Sequence, residues 1–385
     1  MRGRKSDQPQ MFFTIDVEAR IRRDHPLRSL KRTIDEILRE LGPRFDAAYS
    51  QTGRPGVPPE RLLKALLLMT LFSVRSERQL VERIDTDLLF RWFLDMSPEE
   101  EVFDATAFTH NRPRLDQHGL TAAFFEAVLT RAIQAGLCSD EHFSVDGSLI
   151  ESYASIKSFR PRDEPPQDEG GDDTNVFHKP RNASLDFHGE KKSNQTHVCQ
   201  TDPEARLYRK SSDHPSQLCY MGHALTENRH GLVLGVAITP SSGLAERQAA
   251  LAMLDHLKAG RNLSPKTLGS DKGYDSGNFF VALEERGIEP HCAVIRCPEP
   301  KSRFVASHRK AGIAARKRMK ERLLTLGYEL SQRCRKKVEE YFGWMKTIGK
   351  LDRSRWVGRW KLRQQMELTA AAYNLMRMRK LLATS

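Results

Sequence analysis

Apolar positions recur at helical spacing through the first third of the chain. Ile15, Val17, Ile21, Leu27, Leu30, Ile34, Ile37, Leu38 and Leu41 predict helix between residues 11 and about 50, stopped at Gly42-Pro43. A turn-rich stretch at 53–60 follows. The run P-P-E-R-L-L-K-A-L-L-L-M-T-L-F then predicts a largely buried helix entered through Pro58 and Pro59. Ser76 and Gln79 fit a capping box that opens the next helix. Further helices are expected over 105–115 and over 120–135, the latter closed by Gly136. Residues 1–136 thus read as an all-helical domain.

Beyond residue 136 the period changes. H-F-S-V-D-G-S-L-I at 142–150 predicts a strand that contains Asp146. A tract rich in Pro, Gly, Asp, Ser and Asn spans about 155–215; its first half has too little apolar surface to order itself and reads as a mobile insertion. From Leu218 two strands joined at Glu227 to Gly231 predict a β-hairpin. Helix over 243–259, strand over 266–271, helix over 276–286 and strand over 288–295 follow. Lys301 to Arg322 holds nine Lys+Arg and one acid, Glu321, and reads as a basic excursion. The closing helix, Arg333 to Lys350, keeps Val338, Phe342, Met345 and Gly349 on one face. This order predicts a mixed α/β sheet over residues 137–380, with the helical domain before it.

The charge is uneven. Of the net +12, the last 85 residues contribute 23 Lys+Arg against 6 Asp+Glu, leaving 39 against 44 in the first 300. Basic residues gathered on one part of a chain favour a polyanionic partner such as nucleic acid. A membrane surface or an acidic protein offers the same charge, but the basic region carries Trp344, Trp356, Trp360 and Tyr373 and no lysine-rich amphipathic tail. The six cysteines show no paired spacing, and no apolar signal core follows the polar N-terminus, so a reduced, cytoplasmic protein away from the membrane is expected.

The helices on either side of residue 75, with the one over 105–115, resemble a helix-turn-helix array, although such hairpins are also plain packing units. Arg75, Arg78, His110 and Arg112 are its candidate DNA contacts. In the closing helix Arg335, Glu339 and Lys346 lie four and then seven residues apart, in line along one face. An acid between two cations keeps its charge, yet the same pattern suits a solvated face. Asp146 on one strand and Asp271 at the end of another lie where strand ends of such sheets converge on ligands. Taken singly, each acid also fits a strand end, a cap or a surface position. Three carboxylates from distant sequence, brought together, suit Mg²⁺, which prefers oxygen ligands.

Three blocks, F-S-V-D-G-S, L-G-S-D-K-G-Y-D-S and R-C-R-K-K-V-E-E-Y-F-G-W-M-K, resemble the catalytic blocks of DDE-type bacterial insertion-sequence transposases, in particular insertion-sequence family five and its relatives. The helical half, with P-P-E-R-L-L-K-A-L-L-L, is similar to the domain that precedes the core in that family, so the resemblance spans roughly 15–380. It implies an RNase H-like core, with Asp146, Asp271 and Glu339 as catalytic residues and metal ligands. Mg²⁺ is the implied cofactor, with Mn²⁺ able to substitute. The implied partners are double-stranded DNA, as inverted-repeat ends and as target, and at least a second copy of the chain. The implied activity is cleavage with strand transfer, in a nucleoid-associated bacterial enzyme. The third block of the superfamily reads Tyr-x2-Arg-x3-Glu-x6-Lys; Arg335, Glu339 and Lys346 are in register, but Gln332 stands at the tyrosine position and Tyr328 is the nearest tyrosine upstream. Arg335, Lys346, Lys272 and Tyr274 are then the expected DNA contacts. A nuclease that cuts without joining, and a non-catalytic DNA-binding derivative, are the competing expectations.

Overall fold

The structure is a computed structural model that describes residues 15–50, 52–53, 56–162, 192–209, 215–295 and 307–384. Its first part is helical: α1 (Val17–Arg20), α2 (Pro26–Glu40), α3 (Gly42–Ala48), α4 (Pro59–Leu71), α5 (Glu77–Thr86), α6 (Leu88–Phe93), α7 (Thr106–Gln117) and α8 (Leu120–Gln134). Leu27, Leu30, Ile34, Ile37 and Leu38 form the buried face of α2. Pro43 does not stop the chain there. It sits in the first turn of α3, where a missing N–H costs nothing, so a new helix starts with only Leu41 between it and α2. The predicted cap on α5 is present, with Ser76 Oγ accepting from Gln79 N at 3.2 Å. Helix α4 is buried almost all round; its Lys64 is neutralised by Asp35 at 2.7 Å and Asp95 at 2.5 Å.

The second part contains β1 (His142–Glu151), β2 (Phe159–Pro161), β3 (His197–Cys199), β4 (Arg206–Tyr208), β5 (Gln217–Glu227), β6 (Val233–Pro240), β7 (Thr267–Ser270) and β8 (Glu289–Cys292). Its helices are α9 (Ala245–Arg261), α10 (Gly277–Glu284), α11 (Ser307–Arg322), α12 (Leu326–Cys334), α13 (Lys336–Thr347) and α14 (Arg359–Thr384). Strands run β6-β5-β1-β7-β8 across the main sheet, with β4 beside the first residues of β5. The β6, β5 and β1 strands are antiparallel, whereas β1, β7 and β8 are parallel. An antiparallel meander followed by two parallel strands, each reached through a helix, is an RNase H-like sheet.

Side chains divide between two cores. Phe143, Val145, Leu225, Leu234 and Leu268 pack with α9, α10 and α11. Ile150, Tyr220, Ala224 and Val233 pack with α13, α14 and the helices before residue 136. Helix α14 is the shared wall, packed against α8, β6, α4 and α13. Among the described residues no helix is long and apolar enough to cross a membrane.

Three stretches depart from the sequence reading. The first half of the tract 155–215 reads as a mobile insertion; most of that half falls within 163–191, which with 210–214 lies outside the described residues, while residues 155–162 and 192–209 are built into the fold. There β2 pairs with β3, Phe159 and Cys199 are buried, and buried Asp202 accepts from Tyr220 Oη at 2.5 Å and Ser152 Oγ at 2.8 Å. Within the basic excursion, 301–306 lie outside the described residues and the remainder is helix α11. Ala315 and Met319 give α11 an apolar foothold that its charge count conceals. The closing helix divides at Arg335, where Val338 N bonds to Arg335 O, three residues back, and tightens the turn.

Candidate active site

Register sets the two aspartates. In the parallel pair of β1 and β7, Ser144 is level with Gly269. Two residues further along each chain stand Asp146 and Asp271, so both carboxylates leave the sheet at the same height from neighbouring chain segments. Asp271 is the first residue past β7 and caps a short 3-10 turn, its Oδ1 accepting from Gly273 N at 2.8 Å. Asp146 Oδ1 likewise accepts from Gly147 N at 2.8 Å. The Cys292 thiol, pushed up to about 12 by burial, stays protonated and donates to Asp271 O at 3.0 Å.

Glu339 comes to the site on the first turn of α13. Arg335 joins it to Asp146: Nη2 lies 3.0 Å from Glu339 Oε1, and Nη1 lies 3.8 Å from Asp146 Oδ2. The side chain of Asp146 is 18% exposed and that of Glu339 is 54% exposed, so the aspartate is enclosed while the glutamate meets solvent beside its ion pair with Arg335. Burial pushes the Asp146 carboxyl up to about 6; the Gly147 N–H opposes this, Asp271 adds to it, Arg335 opposes and Glu339 adds. Asp146, Asp271 and Glu339 offer an all-oxygen donor set, of the kind that suits a hard divalent cation. Among the described residues no three acids, histidines or cysteines already stand at ligating distance of one point. Each aspartate gives one oxygen to a glycine N–H, and Arg335 pairs with Glu339.

The remaining candidates separate. Glu340, next to Glu339 in sequence, points away to Arg377 of α14 at 3.1 Å. Lys272 is exposed beside Asp271. Lys346 lies two turns along α13 from Glu339, roughly 10 Å along the axis. Tyr274 corrects the expectation of a DNA contact: it is fully buried, and its hydroxyl has no hydrogen-bond partner among the described residues. Arg112 is corrected likewise, being 3% exposed and bound to Glu77 at 2.7 Å, with its guanidinium over Trp356. His223 and His230 are structural, one bonded to Thr239 Oγ1 and the other to Leu137 O, each at 2.8 Å.

Gln332, in place of the expected tyrosine, has a clear task. Its Nε2 donates to His291 O at 2.6 Å and reaches Ser270 O at 3.4 Å, tying α12 to the ends of β7 and β8. Tyr328 packs edge-on against His291 instead. Two further residues escaped the sequence reading. Asp275 is paired bidentately with Arg316 of α11 at 2.9 and 2.6 Å, its side chain wholly buried. Glu246, in the first turn of α9, brings its carboxylate to the glycines that follow the two aspartates. Nothing in S-S-G-L-A-E-R-Q marks it out.

Two family comparisons bear on this arrangement. Residues 15–114 match a family described as "Transposase domain (DUF772)", and residues 194–375 match "Transposase DDE domain". No curated protein matches the chain. Among solved structures, a Mos1 transposase paired-end complex with left transposon end aligns at 13% identity over 87% of this chain and 90% of that one, with a TM-score of 0.21. A pre-cleavage Mos1 transpososome aligns at 14% identity over 88% and 91%, also with a TM-score of 0.21. The two family matches fall one on the helical half and one on the sheet and helices that carry Asp271, Arg335 and Glu339, and on that footing the chain belongs to the DDE-type transposases.

Proposed function

We propose that this transposase binds the terminal inverted repeats of an insertion sequence and cuts and rejoins DNA at Asp146, Asp271 and Glu339, with Mg²⁺ or Mn²⁺. The carrying observation is the register that sets Asp146 level with Asp271, together with the arginine link from Asp146 to Glu339. Ionised, the three carboxylates supply oxygen ligands. They would hold a divalent cation, whose contribution when bound would be Lewis acidity toward the scissile phosphate. Arg335 has two tasks that the geometry supports. It keeps Glu339 within reach, and a phosphate entering the site gives its guanidinium an alternative anion, releasing the carboxylates. Lys272 and Lys346 are proposed to contact backbone phosphates, which positions DNA without reading its sequence. Helix α11, held down by Asp275, would continue that basic surface. Joining two element ends calls for at least a dimer, and a DNA substrate places the protein with the bacterial nucleoid. Membership of insertion-sequence family five within the wider group is part of the same proposal.

The test is Mg²⁺-dependent cleavage of DNA carrying the flanking element ends, at low salt. Wild type and Glu340→Ala are expected to cut and to yield strand-transfer products. Glu339→Ala is expected to bind the DNA and to lose cleavage by at least about a hundredfold, the scale of losing one preorganised electrostatic group. Cutting without joined products would make the chain a nuclease. Equal binding with no cleavage by any of the three, under either metal, would leave a DNA-binding derivative.

A further inference from the structure

The glycines at 147 and 273 stand out when a Cβ is placed on them. At Gly147 it would lie 2.7 Å from Glu246 Oε1 and 3.0 Å from Glu246 Cγ. At Gly273 it would lie 3.1 Å from Asp271 Oδ1 and 3.1 Å from Glu246 Oε2. The two oxygens of one glutamate therefore occupy the space that side chains would take at the residue after Asp146 and at the second residue after Asp271. Neither glycine has a left-handed backbone that would require the residue type for another reason.

A second observation is independent of that clearance. The Tyr274 hydroxyl is fully buried without a hydrogen-bond partner among the described residues. Apart from burial, the groups that act on it are Glu246 first, then Asp146 and Asp271, with Cys292 last. A buried hydroxyl on which three carboxylates act, and which is bonded to none of them, is a polar group left for an occupant of the site to satisfy.

We propose that Glu246 is a fourth carboxylate of the active site, an oxygen ligand for the divalent cation held by Asp146 and Asp271, and that Gly147 and Gly273 are glycine so that it fits. This rests on the metal-site reading above and adds a ligand to it. Helix α9 then does more than cover the sheet, since its first turn carries an acid that reaches the glycines beside both aspartates. It also explains why the sequence has D-G and D-K-G after the two aspartates.

The experiment uses the full chain and Mn²⁺ alone, with free Mn²⁺ followed by its paramagnetic resonance and folding checked by circular dichroism. Wild type and Glu340→Gln are expected to bind Mn²⁺ alike. Asp271→Asn and Glu246→Gln are each expected to weaken binding by at least about tenfold, the lower end of what even an outer partner of a metal site contributes. Gly147→Ala keeps every carboxylate but displaces Glu246, and should weaken binding too. If Glu246→Gln misfolds, Gly147→Ala decides alone: wild-type affinity in a folded Gly147→Ala protein overturns the proposal. Wild-type affinity in Glu246→Gln beside a loss in Asp271→Asn overturns the role of Glu246 and leaves the metal site standing. No binding by wild type, or no change in Asp271→Asn, overturns both.

Discussion

At neutral pH Asp146 is ionised against burial first, and against Asp271 and Glu339 after it. A carboxyl whose folded pKa lies above its unfolded value destabilises the fold at pH above the folded value and costs nothing below the unfolded one. The displacement from 3.8 to about 6 corresponds to on the order of 3 kcal/mol. Asp146→Asn keeps an oxygen for the Gly147 N–H and removes the charge. It is expected to raise the urea midpoint at pH 7.5, with the gain vanishing by pH 4, while abolishing cleavage; a midpoint at or below wild type at pH 7.5 would refute the account. His223 works in the opposite sense. Burial holds its imidazole down at about 4, from 6.5, so the neutral ring belongs to the fold. Stability from this group is complete above pH 6.5 and is lost as pH falls toward 4, on the order of 3 kcal/mol in all. Thermal melts of His223→Gln between pH 7 and pH 4.5 should show a flatter pH dependence than wild type.

Among the elements, α11 shows how a basic segment is kept in place. Asp275 sits five residues into the turn after β7 and reaches Arg316 with both oxygens while also accepting from Ile295 N at 2.7 Å. Asp275→Ala would strand the arginine and loosen the helix at a cost of roughly 1.5–3 kcal/mol. Limited trypsin digestion should then cut within 307–322 faster than in wild type, with the sheet still protected; equal rates would mean the apolar foothold alone holds α11. At this scale much of the sheet was legible beforehand. Alternating and continuous apolar runs placed β1, β5, β6, β7 and β8 because each buries side chains of the sheet interior. The places of Asp146 on one strand and Asp271 at the end of another, and of Arg335 and Glu339 one helical turn apart, were legible too, whereas their grouping as one site was implied only by the resemblance. What lay hidden depended on contacts between distant segments: Glu246 over two glycines, Gln332 across two strand ends, and Asp275 under α11. Tyr274 was misread because a tyrosine beside a site residue looks the same in sequence whether it faces solvent or core.

For the molecule as a whole, α14 decides cohesion. Leu362, Met366, Ala370, Ala371 and Leu375 are buried in a cluster that also contains Leu66, Phe108, Leu115, Phe124 and Val128 from the helical half and Tyr220 and Val233 from the sheet. Asn374 adds a polar clasp, donating to Val233 O and accepting from Val233 N, both at 2.8 Å. Asn374→Ala leaves both backbone groups unpaired in the core and should cost about 2–3 kcal/mol, seen in denaturant melts. Deleting residues 1–136 uncovers the other face of α14; the remaining fragment is expected to aggregate or bind a hydrophobic dye, and a monomeric, cooperatively melting fragment would contradict the shared core.

That shared wall has a bearing on synthesis. The helical half leaves the ribosome before the sheet, yet α14, which closes its core, is made after every strand. At ~5–20 residues per second the stretch between α8 and α14 takes roughly ten to forty-five seconds. For that interval the nascent chain shows an open apolar seam to whatever chaperone is at hand, and a message cut short before α14 yields protein with that seam permanently unclosed.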